Sequence, residues 1–329
     1  MKRRMICASL VGAVLSPVWV QAQPAQRHAR IAVLGGSTGL ADPNIRRDVD
    51  LLPKGLRERG WVEGRNLVIE WRFAEGQPQR LPALLAELIA LQPDVLLTYG
   101  PRPAMLARDA TRSIPIVAVA VDDPVEMGLA ASYSRPGGNI TGSSGAYHGI
   151  LSRRLQLLKD FLPSARRFAV LMNPYTLPRP TLDAGLADLR DKVGVEMVVM
   201  EARGPDDFDA AFAAMAQQRV DAVLVLADST FYVHRLRLGE LCRTQRLPSV
   251  WGGRGFLEGG GLASFQGDFA ELFRRSASTV DKILNGAKPG DIPWEQSTKF
   301  ELVLNLKAAR ELGLKVPQSV LLSADEVIE

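Results

Sequence analysis

Short runs of Val, Ile and Leu recur along the chain, and between them apolar residues fall three and four apart. A continuous apolar run suits a strand buried on both faces, while the three-and-four spacing suits an amphipathic helix laid over it. The first half predicts strand Ile31–Leu34, a helix near Ile45–Arg59, strand Leu67–Trp71, helix Leu81–Leu91, strand Val95–Thr98, helix Ala104–Thr111 and strand Ile116–Ala120. In the segment RLPALLAELIAL, residues Leu81, Leu84, Leu85, Leu88 and Ile89 share one helical face, and that face must pack on a sheet. Strands alternating with helices in this way imply a parallel sheet with crossovers, hence one α/β lobe.

After the glycine-rich SRPGGNITGSSG the alternation begins again. It predicts helix Leu151–Phe161, strand Phe168–Met172, helix Leu182–Val193, strand Glu196–Met200, helix Pro205–Gln217 and strand Ala222–Leu226, a second α/β lobe. Pro205 with Asp206 and Asp207 makes a good helix start, since proline tolerates the first turn and acids favour its positive end. Strand Leu262–Phe265, a helix capped by Asp268 with Glu271 three residues on, strand Phe300–Leu304 and a short helix ending near Leu312 close the chain. These pieces are too few for a third domain and complete the two lobes already built. About 300 residues is more than a single core usually organises, which agrees with two lobes. The glycines of Pro136–Gly145 allow backbone angles that other residues resist, so this crossing reads as part of a hinge.

The chain opens MKRRMICASLVGAVLSPVWVQAQ: basic residues Lys2, Arg3 and Arg4, an apolar stretch, and small residues around Val20 and Ala22. This is the pattern of a secretory leader over 1–22, and the apolar run, interrupted by Pro17, falls short of the roughly 20 residues that span a bilayer. Cys7 lies too early in the leader to be a lipidated cysteine. Loss of the leader takes the basic side chains from 40 to 37 against 36 acidic ones, so the mature chain is about neutral. No basic stripe interleaved with aromatics appears, which argues against nucleic acid as a partner. Cys242 is then left alone, without a disulfide partner, and its place in ELCRTQR at helical spacing reads as a core cysteine rather than a reactive thiol.

Motifs for catalysis are missing. The three histidines are His28, His148 and His234, and neither H-E-x-x-H nor G-x-S-x-G occurs. Gly35-Gly36-Ser37-Thr38-Gly39 follows the first strand, but its spacing is not that of a dinucleotide fingerprint, and there is no P-loop. The reading is therefore a chain with no catalytic residues, no metal site and no cofactor. Ligands of open α/β sheets lie beyond the carboxyl ends of the strands. The residues expected there are Gly36, Ser37 and Thr38 after the first strand, Tyr99 and Gly100 after the third, and Asp122 and Asp123 after the fourth. The second lobe adds Asn173 and Tyr175 after one strand and Asp228, Ser229 and Thr230 after another. Each alone is an ordinary turn or N-cap; as a set facing one cleft they read as a small-molecule site. Asp123 and Asp228 admit two roles: receiving a ligand ammonium from opposite lobes, while Ser37, Thr38 and helix-start N–H groups hold a carboxylate, or merely capping helices.

The strings GWVEGRNLVIEWRFAEGQPQRLPALLAELIALQPDVLLTYG and DDPVEMGLAASYSRPGGNITG, with the closing FRRSASTVDKILNGAKPGDIPWEQSTKFELVLNLKAARELGLKVPQSVLLSADEVIE, resemble the ABC transporter substrate-binding family, in its tryptophan- and tyrosine-associated branch. The resemblance covers nearly the whole chain after the leader. It implies the periplasmic-binding-protein type I fold, two doubly wound parallel-sheet lobes joined by hinge strands and closing on a ligand between them. The lobes are expected at 28–143 with 266–295 and at 144–265 with 296–329. It further implies a periplasmic protein that captures a small organic molecule, an amino acid or another, and delivers it to an ABC permease driven by a separate ATPase subunit. Two departures fall at the presumed pocket: Tyr99-Gly100-Pro101-Arg102-Pro103 replaces a Thr-Ala-rich segment, and Ser264-Phe265-Gln266-Gly267 replaces a frequent Ser-Tyr-Gly. The ligand therefore does not carry over from the family. A sensory binding protein that presents its closed form to a membrane receptor, and an exported α/β transferase, are the competing readings.

The leader pattern predicts cleavage close to Ala22. Intact mass of the exported protein checks this, and a mature chain retaining Lys2 to Arg4 would refute it.

Overall fold

The computed structural model describes residues 28–329 apart from positions 37, 146 and 178. The leader at 1–22 and Ser37 thus lie outside the described residues. The first sheet is built from β1 (Ala29–Gly35), β2 (Leu67–Phe73), β3 (Val95–Tyr99), β4 (Ile116–Val121), β5 (Ile140–Ser144) and, from much later in the chain, β11 (Glu295–Gln296). Their order is β11-β5-β4-β3-β1-β2 and every pairing is parallel. The second sheet holds β6 (Arg167–Met172), β7 (Glu196–Glu201), β8 (Ala222–Val225), β9 (Ser249–Trp251), β10 (Ala263–Gly267), β12 (Phe300–Asn305) and β13 (Glu326–Ile328) in the order β13-β12-β10-β9-β8-β6-β7. Only β10 and β12 pair antiparallel.

Alternation along each strand sends side chains to two buried faces. In β1, Ile31 and Val33 join one cluster with Val95, Leu97, Val117 and Val119, while Ala32 and Leu34 join another with Leu96, Ile116 and Ala118. Helices α1 (Pro43–Val49) and α2 (Leu51–Arg57) cover the first face; α3 (Leu81–Ala90) and α4 (Pro101–Ala110) cover the second. The second sheet is likewise buried on both sides, by α5 (Tyr147–Phe161), α6 (Arg179–Val193) and α11 (Leu306–Leu312) on one side and α7 (Pro205–Gln217), α8 (Ser229–Val233) and α9 (Arg235–Thr244) on the other. Cys242 lies in this latter core, where burial pushes its thiol up to about 12. Helix α10 (Phe269–Leu284) follows β10 yet returns to the first lobe. There Leu272, Phe273, Ala277, Val280 and Ile283 enter its core, and Asp281 accepts a hydrogen bond from Trp61 Nε1 at 2.9 Å. The expected cap is present: Asp268 Oδ1 accepts from Glu271 N at 3.0 Å.

Three differences from the sequence pattern have physical causes. The single helix expected at 45–59 is two, α1 and α2, because Pro53 has no N–H to donate to Val49. The short α8, β9, α12 (Gln318–Leu322) and β13 carry too few apolar residues to show a period. The glycine-rich crossing is mostly the buried fifth strand: Ile140–Ser144 pairs with β4, and Gly137 N donates to Gly290 O at 3.1 Å. Gly142 has φ +156, and a Cβ there would stand 1.8 Å from Ala118 O, so its glycine serves close backbone approach, not looseness.

The chain passes between the sheets three times, after Ser144, after Gly267 and after Gln296. Ser144 and Gln296 therefore sit in the first sheet and Gln266 and Gly267 in the second, each on the opposite side of the boundary read from the sequence. The passages lie side by side: Ser297 N donates to Ser144 O at 2.9 Å and Asp268 N to Lys299 O at 3.0 Å. Among the described residues, no helix is long and apolar enough to cross a membrane.

Gly142→Ala should cost about 3 kcal/mol, the upper range for overpacking, since backbone and not a movable side chain stands in the way; urea unfolding measures it, and an unchanged midpoint would contradict the close approach. Cys242 should resist thiol reagents at pH 8 in the native protein and react on unfolding, because burial keeps it protonated and covered.

Candidate functional site

Both sheets end at a common gap, and the gap holds two joined chambers of about 160 and 110 Å³. Ala120, Ala227, Asp228, Gly252, Gln266 and Phe269 border both. Ala120, near the end of β4, has φ +58, an uncommon backbone for a residue with a side chain, at the point where the β4–β5 register breaks. Ala227 and Gly252 follow β8 and β9, and a Cβ on Gly252 would press on Ala227 at 2.4 Å. Small residues thus pave the neck between the chambers.

The larger chamber is aromatic on both walls. Tyr99 of the first lobe meets Phe269 edge-on at 5.9 Å, and Tyr232 of the second meets Phe256 at 5.2 Å. The loop Gly252-Gly253-Arg254-Gly255 passes between them. A Cβ on Gly255 would strike the rigid Tyr232 ring at 2.6 Å, while one on Gly253 would meet the tip of the Gln266 side chain at 2.4 Å. Burial raises the hydroxyls of Tyr99 and Tyr232 above the usual phenol range, so both stay protonated donors.

Charged groups enter from both lobes. Helix α1 brings Arg47 and Asp48, joined at 2.9 Å; burial raises the Asp48 carboxyl while Arg47 opposes the shift. Opposite them Arg254 forms a two-pronged pair with Glu326 and stands 3.6 Å from Glu301. Asp228 faces both chambers and is buried. Its Oδ1 accepts from Phe231 N at 3.0 Å and Asn173 Nδ2 at 3.3 Å, and its Oδ2 accepts from the Thr176 hydroxyl. In the smaller chamber Arg154 is buried and ties two strand ends together, its Nε donating to Phe265 O at 2.7 Å and its Nη2 to Gly252 O at 2.9 Å.

Of the residues expected from the sequence, Tyr99, Gly100, Asp122, Asn173, Asp228 and Ser229 line the cleft. Gly36, Thr38, Asp123, Tyr175 and Thr230 do not. Asp123 is a turn residue: its Oδ1 accepts from Val125 N and Glu126 N at 2.7 and 3.0 Å, and its Oδ2 from the Tyr133 hydroxyl. The loop after β6 turns on Asn173, whose Oδ1 accepts from Tyr175 N; this exposes Tyr175 and presents Thr176 to the cleft instead. Gly36 and Thr230 belong to the contact between the lobes. Thr230 Oγ1 donates to Gly76 O at 2.8 Å, and a Cβ on Gly36 would stand 2.6 Å from Ser229 Oγ. Helix α4 starts at the cleft with Pro101 and Pro103 in its first turn and so lacks two N–H donors there. The sequence pattern did not place α1, the glycine loop at 252–255 or Phe269 at the cleft. The one signal was compositional, three glycines around Arg254 after a strand.

Two α/β lobes whose strand ends face a shared cleft make the periplasmic-binding-protein type I fold. The chain matches the model of the ABC transporter substrate binding protein family over residues 37–328 and belongs to that family. A tyrosine-binding protein of Clostridioides difficile strain R20291 is 24% identical over 274 residues, 83% of this chain and 77% of the relative. A conserved domain protein from Vibrio cholerae O1 biovar El Tor is 27% identical with a TM-score of 0.83, covering 92% of this chain and all of that one. An ABC domain from Streptococcus pneumonia in complex with L-Trp is 24% identical with a TM-score of 0.82 over the same shares.

Proposed function

We propose that this chain is the exported, periplasmic binding component of an ABC importer, capturing an α-amino acid with an apolar or aromatic side chain and delivering it to a membrane permease served by a separate ATPase. The observation that carries the reading is Asp228. A carboxylate has about four acceptor positions, and its contacts with Phe231, Asn173 and Thr176 fill three. The remaining one serves a ligand ammonium at the neck of the cleft. Tyr99 and Phe269 on one wall and Tyr232 and Phe256 on the other suit a flat apolar group. Arg47 and Arg254, one from each lobe, offer partners for a carboxylate. Tyrosine and L-Trp are the ligands named for two relatives, which supports the same class here.

The chemistry of the cleft supports retention rather than turnover. His234 packs against Phe208 of the second lobe and does not border either chamber.

Calorimetric titration with L-tyrosine and L-tryptophan, after stripping bound ligand by unfolding and refolding, tests the assignment. Asp228→Asn should lose about 1.5–3 kcal/mol, roughly ten- to a hundredfold in affinity, because asparagine still caps α8 but cannot pair with an ammonium. Asp123→Asn should bind like the native protein. Unchanged affinity in Asp228→Asn would leave Asp228 as a cap alone.

A further inference from the structure

A second set of polar residues bridges the lobes at the edge of the larger chamber. Asp42, in the first lobe, is buried and caps α1 by accepting from Asn44 N at 2.9 Å. The same Oδ1 accepts from the Tyr232 hydroxyl of the second lobe at 3.1 Å. Its Oδ2 stands 3.6 Å from Arg235 Nη2, and Arg235 binds Glu258 at 2.6 Å. Glu258 in turn accepts from Asn44 Nδ2 at 2.9 Å, which brings the chain of contacts back to the first lobe. The Arg235 guanidinium also lies 4.6 Å from the centre of the Tyr232 ring, a favourable cation–π position.

We infer that Asp42 and Arg235 form an interlobe clasp that holds the cleft closed and positions Tyr232 and helix α1 around the ligand. Asp42 connects the two walls because one carboxylate oxygen fixes both: it caps the helix that carries Arg47 and Asp48 into the chamber, and it receives the phenol that lines the opposite side. Neither bond across the gap survives separation of the lobes. The ionic part is only partly exposed, with Arg235 and Asp42 side chains at 16% and 7%, so water screens it less than an ordinary surface pair. The contact of α8 with Gly36 and Gly76 acts alongside it. A Cβ on either glycine would meet Ser229 or Val233 at 2.6 Å, so bare backbone on the first lobe is what allows this approach.

The clasp rests on the reading of a cleft that opens and closes, but its test needs no ligand. Spin labels at Arg65→Cys and Gln217→Cys, exposed sites on opposite lobes, report the interlobe distance by pulsed electron resonance; Cys242 is buried and stays unlabelled. In the unliganded mature protein, Arg235→Gln should reduce the ratio of closed to open forms by about tenfold. Glu258→Gln should shift it the same way by less, and Arg235→Lys should restore most of the closed population. Failure of lysine to restore it would assign the effect to general loss of packing and overturn the clasp. The same distance distribution in Arg235→Gln and Glu258→Gln as in the native chain would also overturn it, whatever ligand the cleft proves to take.

Discussion

The two lobes face one another because the chain passes between them three times within a narrow strip. Backbone bonds from Ser297 to Ser144 and from Asp268 to Lys299 tie those passages together. A single linker would leave the sheets free to present any face; three bonded passages hold the two sheets in one mutual orientation. Since both sheets are almost wholly parallel, all the loops that follow their strands gather at one edge of each. The restriction turns those edges toward a common gap.

At that gap the structure gives up side-chain volume. Ala120 holds an unfavourable φ, Gly252 has no room beside Ala227, and the glycines at 253 and 255 yield to Gln266 and Tyr232. Strain and small residues of this kind are expected where a ligand must approach backbone, and they cost stability elsewhere supplied by packing. That packing is present in four apolar clusters, one on each face of each sheet. The site is thus irregular on a regular scaffold.

Charge in the cleft is arranged in pairs. Arg47 answers Asp48, Arg254 answers Glu326, and Asp228 is surrounded by neutral donors. A ligand with equal and opposite charges can exchange contacts with such pairs without leaving an ion stranded in a partly dry space, whereas a single net charge would strand one. Wide-open surface pairs such as Arg237 with Asp209 contribute little by comparison, because solvent screens them.

The sequence alone carried the two lobes, most strands and helices, the family, and six of the residues that line the cleft. These were legible because parallel strands need continuous apolar runs and covering helices need a three-and-four spacing, both local properties. Position after a strand was enough to mark Tyr99, Gly100, Asp122, Asn173, Asp228 and Ser229. Only the tertiary structure decided between Tyr175 and Thr176, since the turn on Asn173 chooses which side chain faces the gap. It alone separated Asp123 from Asp228: both accept from backbone N–H groups just ahead of them, but folding brings Asn173 and Thr176 onto Asp228 at the cleft, whereas Asp123 meets Tyr133 away from it. The buried strand at Ile140–Ser144 was hidden among glycines, and the one within it, Gly142, serves a contact with Ala118, more than twenty residues earlier in the chain. Asp42 was silent for the same reason: as sequence it is a helix cap, and its second role depends on Tyr232 and Arg235, which folding brings from the other lobe.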